Sequence, residues 1–416
     1  MPDVDSRQPL DVLVIGARAA GGSLGLLLAR QGRRVLMIDR DEFPSDTMST
    51  HFVGPPGVGS LRELGVLDDL LAAGFRRVTR LRSWLGDTFI EGPAAPGGGF
   101  GLTPRRDVLD KLLVDHAVKA GAEFRQRTRA ESLLWEDGRV VGAVIRTAGG
   151  EPEEVRATFV VGADGKASRV AEWTGAEKYH EVPALRPAYY AYFNGFEPLP
   201  EPTTEIFFGG DEITFIFPMR PDETCIAIEM QPEAFEEFRQ DARGGLLARL
   251  KLRPQLEKRL RGAEIEGKVI GVRGVENYFR KPFGPGWALA GDAAYLKDPV
   301  TGLGVGDAIR GSLMLAPVLG AALEGAEWET TMAAFQQARD TYFQPMYQAT
   351  LAMTRMSDPD FEALGWLRAV AGNPIAARTL LSNMEQAAGA VLPPGLAAAL
   401  GAVAAIYADA TPKASV

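Results

Sequence analysis

The sequence predicts an α/β fold: a Rossmann-like domain, interrupted by an inserted antiparallel sheet and followed by a helical C-terminal region. Three observations carry this. Residues 11–40, DVLVIGARAAGGSLGLLLARQGRRVLMIDR, read as a strand, a Gly-rich turn, a helix and a second strand ending in an acid. Two later units, at 156–170 and 285–306, repeat the logic of a strand that ends on Gly with Asp just beyond it. Between them, residues 186–230 are β-rich, with alternating apolar runs and tight Gly turns. The chain's 416 residues exceed what one core usually organises, so two or more lobes are expected.

Composition narrows the function classes. Apolar residues make up 46% and charged residues 24%, the balance of an ordinary globular protein. The net charge of −9 argues against a broad nucleic-acid surface. A single cysteine, Cys225, permits no internal disulfide. The opening MPDVDSRQPL has no basic n-region and no apolar signal core, and the apolar run GLLLARQGRRVLMI is broken by charges. The expectation is a cytoplasmic protein without a membrane span.

The first strand, DVLVI, is a continuous apolar run, as a parallel strand buried on both faces requires. Gly16 ends it, Gly21 and Gly22 stand at helix entry, and Asp39 closes the second strand. A pyrophosphate needs exposed backbone N–H groups at a helix N-terminus with no side chain in the way. Asp39 stands where an acid hydrogen-bonds a ribose 2′-hydroxyl, which favours FAD or NAD over a 2′-phosphorylated dinucleotide. The spacing is G-x-R-x-x-G, with Arg18 in the central position. Either Arg18 blocks close backbone approach, or it points outward and adds a charge-assisted bond to the phosphates. A strand–turn–helix with no ligand would show the same residues.

Further along, the strand TFVVG runs into Asp164-Gly165, and WALAG runs into Gly291-Asp292. An Asp so placed can accept hydrogen bonds from ribitol or ribose hydroxyls, while the glycines let backbone approach a flat ring or a phosphate. The loop PVTGLGVG then leads into a helix whose N-terminus would stabilise negative charge on a reduced ring.

With these three motifs in order, the sequence resembles the FAD-dependent monooxygenase superfamily of the para-hydroxybenzoate hydroxylase fold, which also includes flavin-dependent halogenases and geranylgeranyl reductases. The motifs span most of residues 9–325. The resemblance implies an FAD-binding domain of 9–80, 101–175 and 270–325, a substrate domain of 81–100 and 176–269, and a helical region of 326–416. It implies that Gly16, Gly21 and Asp39 hold the ADP half of FAD, with Arg18, Ala19, Ala20 and Arg40 beside them. Asp292, after Gly291, would bind the ribityl or pyrophosphate region, and Asp164 with Gly165 would help hold FAD and NAD(P)H. The loop from Pro299 through Gly302 and Leu303 to Gly304 would line the flavin ring. An arginine before the helix in TPRRDVLDKLL, Arg106 or Arg105, would contact FAD; a solvated pair reads equally well. Thr103 or Asp107 is expected to cap that helix.

His51, in the loop PSDTMSTHF, is the candidate catalytic residue, as proton donor, substrate contact or attachment point; the bland alternative is a loop histidine bonded to backbone. His116 reads as a helix-surface residue, His180 has no ligand set around it, and no histidine pair has metal spacing. The aromatics Tyr189, Tyr190, Tyr192, Phe193, Phe207, Phe208, Phe215 and Phe217 suggest an apolar or aromatic small-molecule substrate, although any one ring is more often core. No second complete dinucleotide fold is visible, so NAD(P)H would visit as a transient reductant. The expected activity is hydroxylation or epoxidation with NAD(P)H and oxygen through a flavin C4a-hydroperoxide. The alternatives are a flavin-dependent reductase or dehydrogenase of a carbon–carbon bond and, ranked lower, a halogenase with a partner reductase. The Trp-x-Trp-x-Ile-Pro motif of the halogenases is absent, with Phe215-Ile216-Phe217-Pro218 in a loosely similar place. A flavin-binding sensor or scaffold ranks below all three, since no effector domain is visible.

Overall fold

The computed structural model describes residues 9–95, 98–209 and 212–354. The Ala/Leu-rich segment 388–405, with two prolines at its centre, lies outside them.

The parallel sheet is built around the first strand, Leu10–Ile15, flanked by Val35–Ile38 and Glu153–Gly162. Glu123–Arg125 and Trp287–Leu289 extend it in parallel at either side. The apolar run dictates the central place: Val12, Leu13 and Val14 have no exposure, since both faces are covered. Val12 and Val14 face the helices, and Leu13 and Ile15 face a second core under the antiparallel meander Thr128–Glu136, Arg139–Thr147 and Glu153–Gly162.

Helix Ala19–Arg30 lies on the sheet between helices Arg106–Lys119 and Gly304–Leu323. Gly25 is needed there, because a Cβ would meet Met37 Sδ at 2.1 Å. Helix Gly304–Leu323 is long and apolar enough to cross a membrane, yet its apolar character is accounted for by packing. Ile309, Leu315, Ala316 and Leu319 are buried in the core, and Ser312 Oγ donates to the Ala20 carbonyl at 2.9 Å.

A second sheet of seven strands runs Glu264–Val272, Ala188–Asn194, Glu223–Met230, Glu212–Arg220, Thr203–Gly209, Arg80–Leu85 and Thr88–Pro93. It is antiparallel except where Thr203–Gly209 and Arg80–Leu85 pair in parallel, a pairing no local hairpin signal encodes. Strands Thr203–Gly209 and Glu212–Arg220 pair antiparallel, with Gly209 opposite Glu212. Alternation along the strands sorts the aromatics to two faces. Tyr189, Phe193 and Phe207 join Ile216, Ile226 and Ile228 in a core with Phe238, Leu246 and Leu250 from the helical segment beneath. Tyr190, Tyr192, Phe215 and Phe217 point the other way, into the core shared with the parallel-sheet domain.

The helix expected from TPRRDVLDKLL starts at Arg106, and neither Thr103 nor Asp107 caps it. Arg105 holds the N-cap through its backbone, because the Thr103 hydroxyl is committed to the Pro218 carbonyl and Asp107 already lies inside the first turn. After a small sheet of Lys178–Val182, Asn277–Arg280 and Tyr295–Leu296, the long helix Trp328–Thr354 packs its Phe343 and Tyr347 on Phe279 and Tyr295.

Candidate active site

The Gly-rich turn is built for close contact. A Cβ on Gly16 would meet the Ala163 carbonyl oxygen at 2.4 Å, and one on Gly21 would meet the Gly16 carbonyl oxygen at 1.7 Å. The helix therefore starts tight against the sheet edge, with the N–H groups of its first turn unpaired within the helix. Ala19 and Ala20 are buried in that turn, and Ala20 Cβ lies 2.7 Å from where a Cβ on Gly291 would stand. The two motifs are thus in direct contact. Asp39 is buried, and its carboxylate accepts from Ala17 N at 2.9 Å and Asp41 N at 3.0 Å. Burial pushes its pKa up.

Arg18 turns away from the glycines. Its guanidinium binds Asp41 at 2.9 Å, Asp110 at 3.1 Å and both the Oγ (3.0 Å) and carbonyl (3.1 Å) of Ser45. Asp110 has no exposure and also takes a two-pronged contact from Arg106, at 3.1 and 2.9 Å. One carboxylate thus ties two arginines, and through them the turn, the 41–45 loop and helix Arg106–Lys119. Arg40 points into solvent, 81% exposed, 3.9 Å from Asp41.

The two Asp motifs differ in what their carboxylates do. Asp164 is occupied within its own turn, by Ser168 Oγ at 2.6 Å, Arg169 N at 2.7 Å and Val170 N at 3.3 Å, with Gly165 at φ 79° completing the bend. Asp292 is half-buried, and among the described residues none donates to its carboxylate. Burial raises its pKa, and Arg106, Lys297 and Lys166 oppose that rise. A carboxylate held this way suits a hydroxyl donor that the protein itself does not supply.

Loop Pro299–Gly304 packs on the 50–54 segment. Gly302 adopts φ 70°, its carbonyl accepts from Thr50 Oγ1 at 3.0 Å, and a Cβ on it would meet Phe52 Cβ at 3.1 Å. Leu303 Cδ2 lies 3.3 Å from where Gly54 would carry a Cβ. His51 stands between this loop and the aromatic sheet face, at φ 59° and 1% exposed. Its Nε2 is 2.7 Å from the Tyr192 hydroxyl, which donates to Asp46 Oδ2 at 2.8 Å. Its Nδ1 lies 3.7 Å from Cys225 Sγ. Tyr192 has one hydroxyl proton and spends it on the carboxylate, so His51 Nε2 carries the proton it donates to Tyr192, and Nδ1 faces the thiol with a lone pair. Burial, with Arg106 and Arg105 adding to it, lowers the His51 pKa to about 3. The ring is a neutral imidazole.

Arg105 serves the sheet: its guanidinium sits 3.8 Å from the Tyr192 ring centroid and bridges Glu223 and Glu266, each at 3.1 Å. Arg106 is the arginine whose charge bears on both His51 and Asp292. His116 bonds Asp69 at 2.7 Å on the helix surface. Among the described residues no cluster of His, Cys, Asp and Glu suits a metal ion. Sequence reasoning missed Asp46, Cys225 and Asp110 as members of this site, because each meets its partner across a long stretch of chain.

A family model described as an FAD binding domain matches residues 9–350. The chain belongs to this family. The FAD-binding chain is 30% identical to a digeranylgeranylglycerophospholipid reductase of Methanosarcina acetivorans over 308 residues, 71% of each protein. It is 26% identical to a 1H-pyrrole-2-carbonyl peptidyl-carrier-protein brominase of Pseudoalteromonas luteoviolacea, over 78% of this chain and 81% of the relative. It is 29% identical to aklavinone 12-hydroxylase RdmE of Streptomyces purpurascens, over 76% of this chain and 63% of the relative. Among solved structures, the flavin-dependent brominase Bmp2 superposes with a TM-score of 0.78 at 19% identity, covering 97% of this chain and 98% of that one. PqsL of Pseudomonas aeruginosa, a probable FAD-dependent monooxygenase, gives 0.74 at 20% identity, covering 86% and 99%. At these identities the structural likeness is one of fold. The protein is a flavin-dependent enzyme, and the Gly16–Gly21 cradle and the Asp292 carboxylate, which meets no donor among the described residues, fit FAD.

Proposed function

We propose that the protein is an FAD-dependent monooxygenase of an apolar or aromatic small molecule, with NAD(P)H as the transient reductant. The observation that carries this is the placement of His51: a buried neutral imidazole bonded to Tyr192, between loop Pro299–Gly304 and the sheet face bearing Tyr190, Phe215 and Phe217. FAD, when bound, supplies the redox chemistry and the activation of oxygen.

The chain's own residues do the rest. Ala19, Ala20 and Gly21 present backbone N–H groups to the pyrophosphate, Gly16 keeps the turn free of a side chain, and Asp39 offers its remaining acceptor capacity to a ribose hydroxyl. Asp292 accepts from the ribityl region. Gly302, Leu303 and Gly304 place helix Gly304–Leu323 with its N-terminus toward the ring, where its dipole favours negative charge. Arg18 and Arg106 hold the turn and the helix together through Asp110. Phe52 and Phe217, stacked 6.3 Å apart between centroids, exclude water beside the ring and offer an aromatic wall. The His51 Nε2–H, the Tyr192 hydroxyl and exposed Asp46 form a donor chain along which a proton can pass between the buried ring and the surface.

A second reading is favoured by the relative at 30% identity, a reductase: transfer of hydride to a carbon–carbon double bond. Titration of purified holoprotein with NADPH and NADH under anaerobic conditions separates the two. Bleaching of the oxidised-flavin band that quickens with an aromatic ligand, followed by oxygen consumption, is expected for the monooxygenase. Bleaching that is reversed by an alkene without oxygen uptake supports the reductase instead.

A further inference from the structure

Behind the 299–304 loop two carboxyl groups are buried together. Glu229, on strand Glu223–Met230, is 2% exposed, and Asp298, which opens the loop, is 1% exposed. The two side chains face each other. As two carboxylates this arrangement fails: Glu229 Oε2 and Asp298 Oδ2 are both sealed from solvent, and neither meets a donor. One proton between them gives each a partner.

We propose that Glu229 is a positioning residue that holds one proton in common with Asp298 and so fastens the loop Pro299–Gly304 to the aromatic sheet. The inference rests on the reading of that loop as the flavin-ring wall. Asp298 does the fastening from the loop side. Its Oδ1 accepts from Val300 N at 3.1 Å, capping the short turn Pro299–Thr301, and its own N–H donates to Asn277 Oδ1 at 2.6 Å. Glu229 sits in register with Ala188 and Ile213, at the centre of the sheet. The link therefore crosses from the middle of the second sheet to the first residue of the loop.

The charges around the pair permit one negative charge and not two. Arg186 faces both acids and donates from Nε to the Thr354 carbonyl at 2.8 Å. Thr354 Oγ faces Asp298 but donates to the Thr350 carbonyl at 2.7 Å. Lys297, next in the chain, is turned to Asp307. Burial, then the Asp298 charge, raises Glu229 well above its ordinary 4.5, and burial raises Asp298 to about 6. Two acids so close titrate as a pair, and the first proton to leave costs less than the second.

The sign follows. The unfolded chain releases these protons near the ordinary carboxylate values, and the folded chain keeps one to higher pH. The folded state is therefore favoured most below that range and loses stability as pH rises through the pair's own titration. In Glu229→Gln the amide donates N–H to Asp298 with no proton to lose.

The test is the melting temperature of FAD-free protein from about pH 5 to about pH 9, with the Kd for FAD by fluorescence quenching at both ends. The wild type is expected to melt lower as pH rises, and its Kd to weaken by up to about tenfold per unit above the pair's titration. Glu229→Gln should hold both nearly constant, and Glu229→Ala should melt lower at every pH. A Glu229→Gln profile as steep as wild type overturns the shared proton. Melting that behaves as expected while FAD affinity stays constant with pH supports the shared proton and overturns the reading of the loop as the ring wall.

Discussion

His51 Nε2 and the Tyr192 hydroxyl stand 2.7 Å apart in a place where neither residue is more than 3% exposed. The contact joins a loop of the first lobe to the second sheet. On the proposed function it is the proton path between the reacting centre and Asp46. Tyr192→Phe and His51→Ala are expected to retain FAD at near wild-type occupancy and to lose turnover by roughly a hundredfold. The flavin absorbance ratio and the steady-state rate check this, and a rate within twofold of wild type makes the pair purely structural.

The same histidine predicts an acid limb in stability. Its folded pKa of about 3 lies below the ordinary 6.5, so as pH falls below that value the unfolded chain takes up a proton that the folded chain refuses. Stability due to the neutral ring is complete above about pH 6.5 and drains toward pH 3, by up to about 1.4 kcal/mol per unit. Urea titrations of wild type and His51→Gln across this range should converge at low pH. Parallel curves would show that the ring is charged in the fold.

Asp292 meets no donor among the described residues, so its removal should be felt by the ligand more than by the fold. Asp292→Ala is expected to weaken FAD affinity roughly ten- to a hundredfold while the melting temperature of the FAD-free protein stays close to wild type. Full flavin occupancy after dialysis would take Asp292 out of the cofactor site.

Asp110 is the opposite case. It neutralises Arg18 and Arg106 at once from a fully buried position. Asp110→Ala leaves two guanidinium groups without that partner and is expected to cost about 3–5 kcal/mol. Arg18→Gly, which restores the common glycine spacing, should also lower stability without tightening FAD binding, because Arg18 already points away from the turn. Calorimetry and a binding titration on the two variants decide it.

The strand–turn–helix at 11–40 was legible because its evidence is local: an apolar run, glycines at fixed offsets and an acid at the strand end. The fate of Arg18 was not, because its partner Asp110 lies 92 residues away. His51 drew notice as one of three histidines, but its partners Tyr192 and Cys225 arrive from 141 and 174 residues away. Alternation in Ala188–Asn194 tells which rings share a face; it does not tell which face meets the first lobe. That is decided by the helical segment 235–257 covering Tyr189 and Phe193. The parallel pairing of Arg80–Leu85 with Thr203–Gly209 likewise has no signature in either strand.

The place of strand Leu10–Ile15 at the middle of its sheet has a consequence for the chain as it is made. One neighbour, Val35–Ile38, emerges almost at once, but the other, Glu153–Gly162, is synthesised more than a hundred residues later. At about 5–20 residues per second, the ribosome leaves that edge bare for roughly ten seconds or more. This buried apolar strand therefore waits longest for its partner, and nascent-chain chaperones should bind it during that interval.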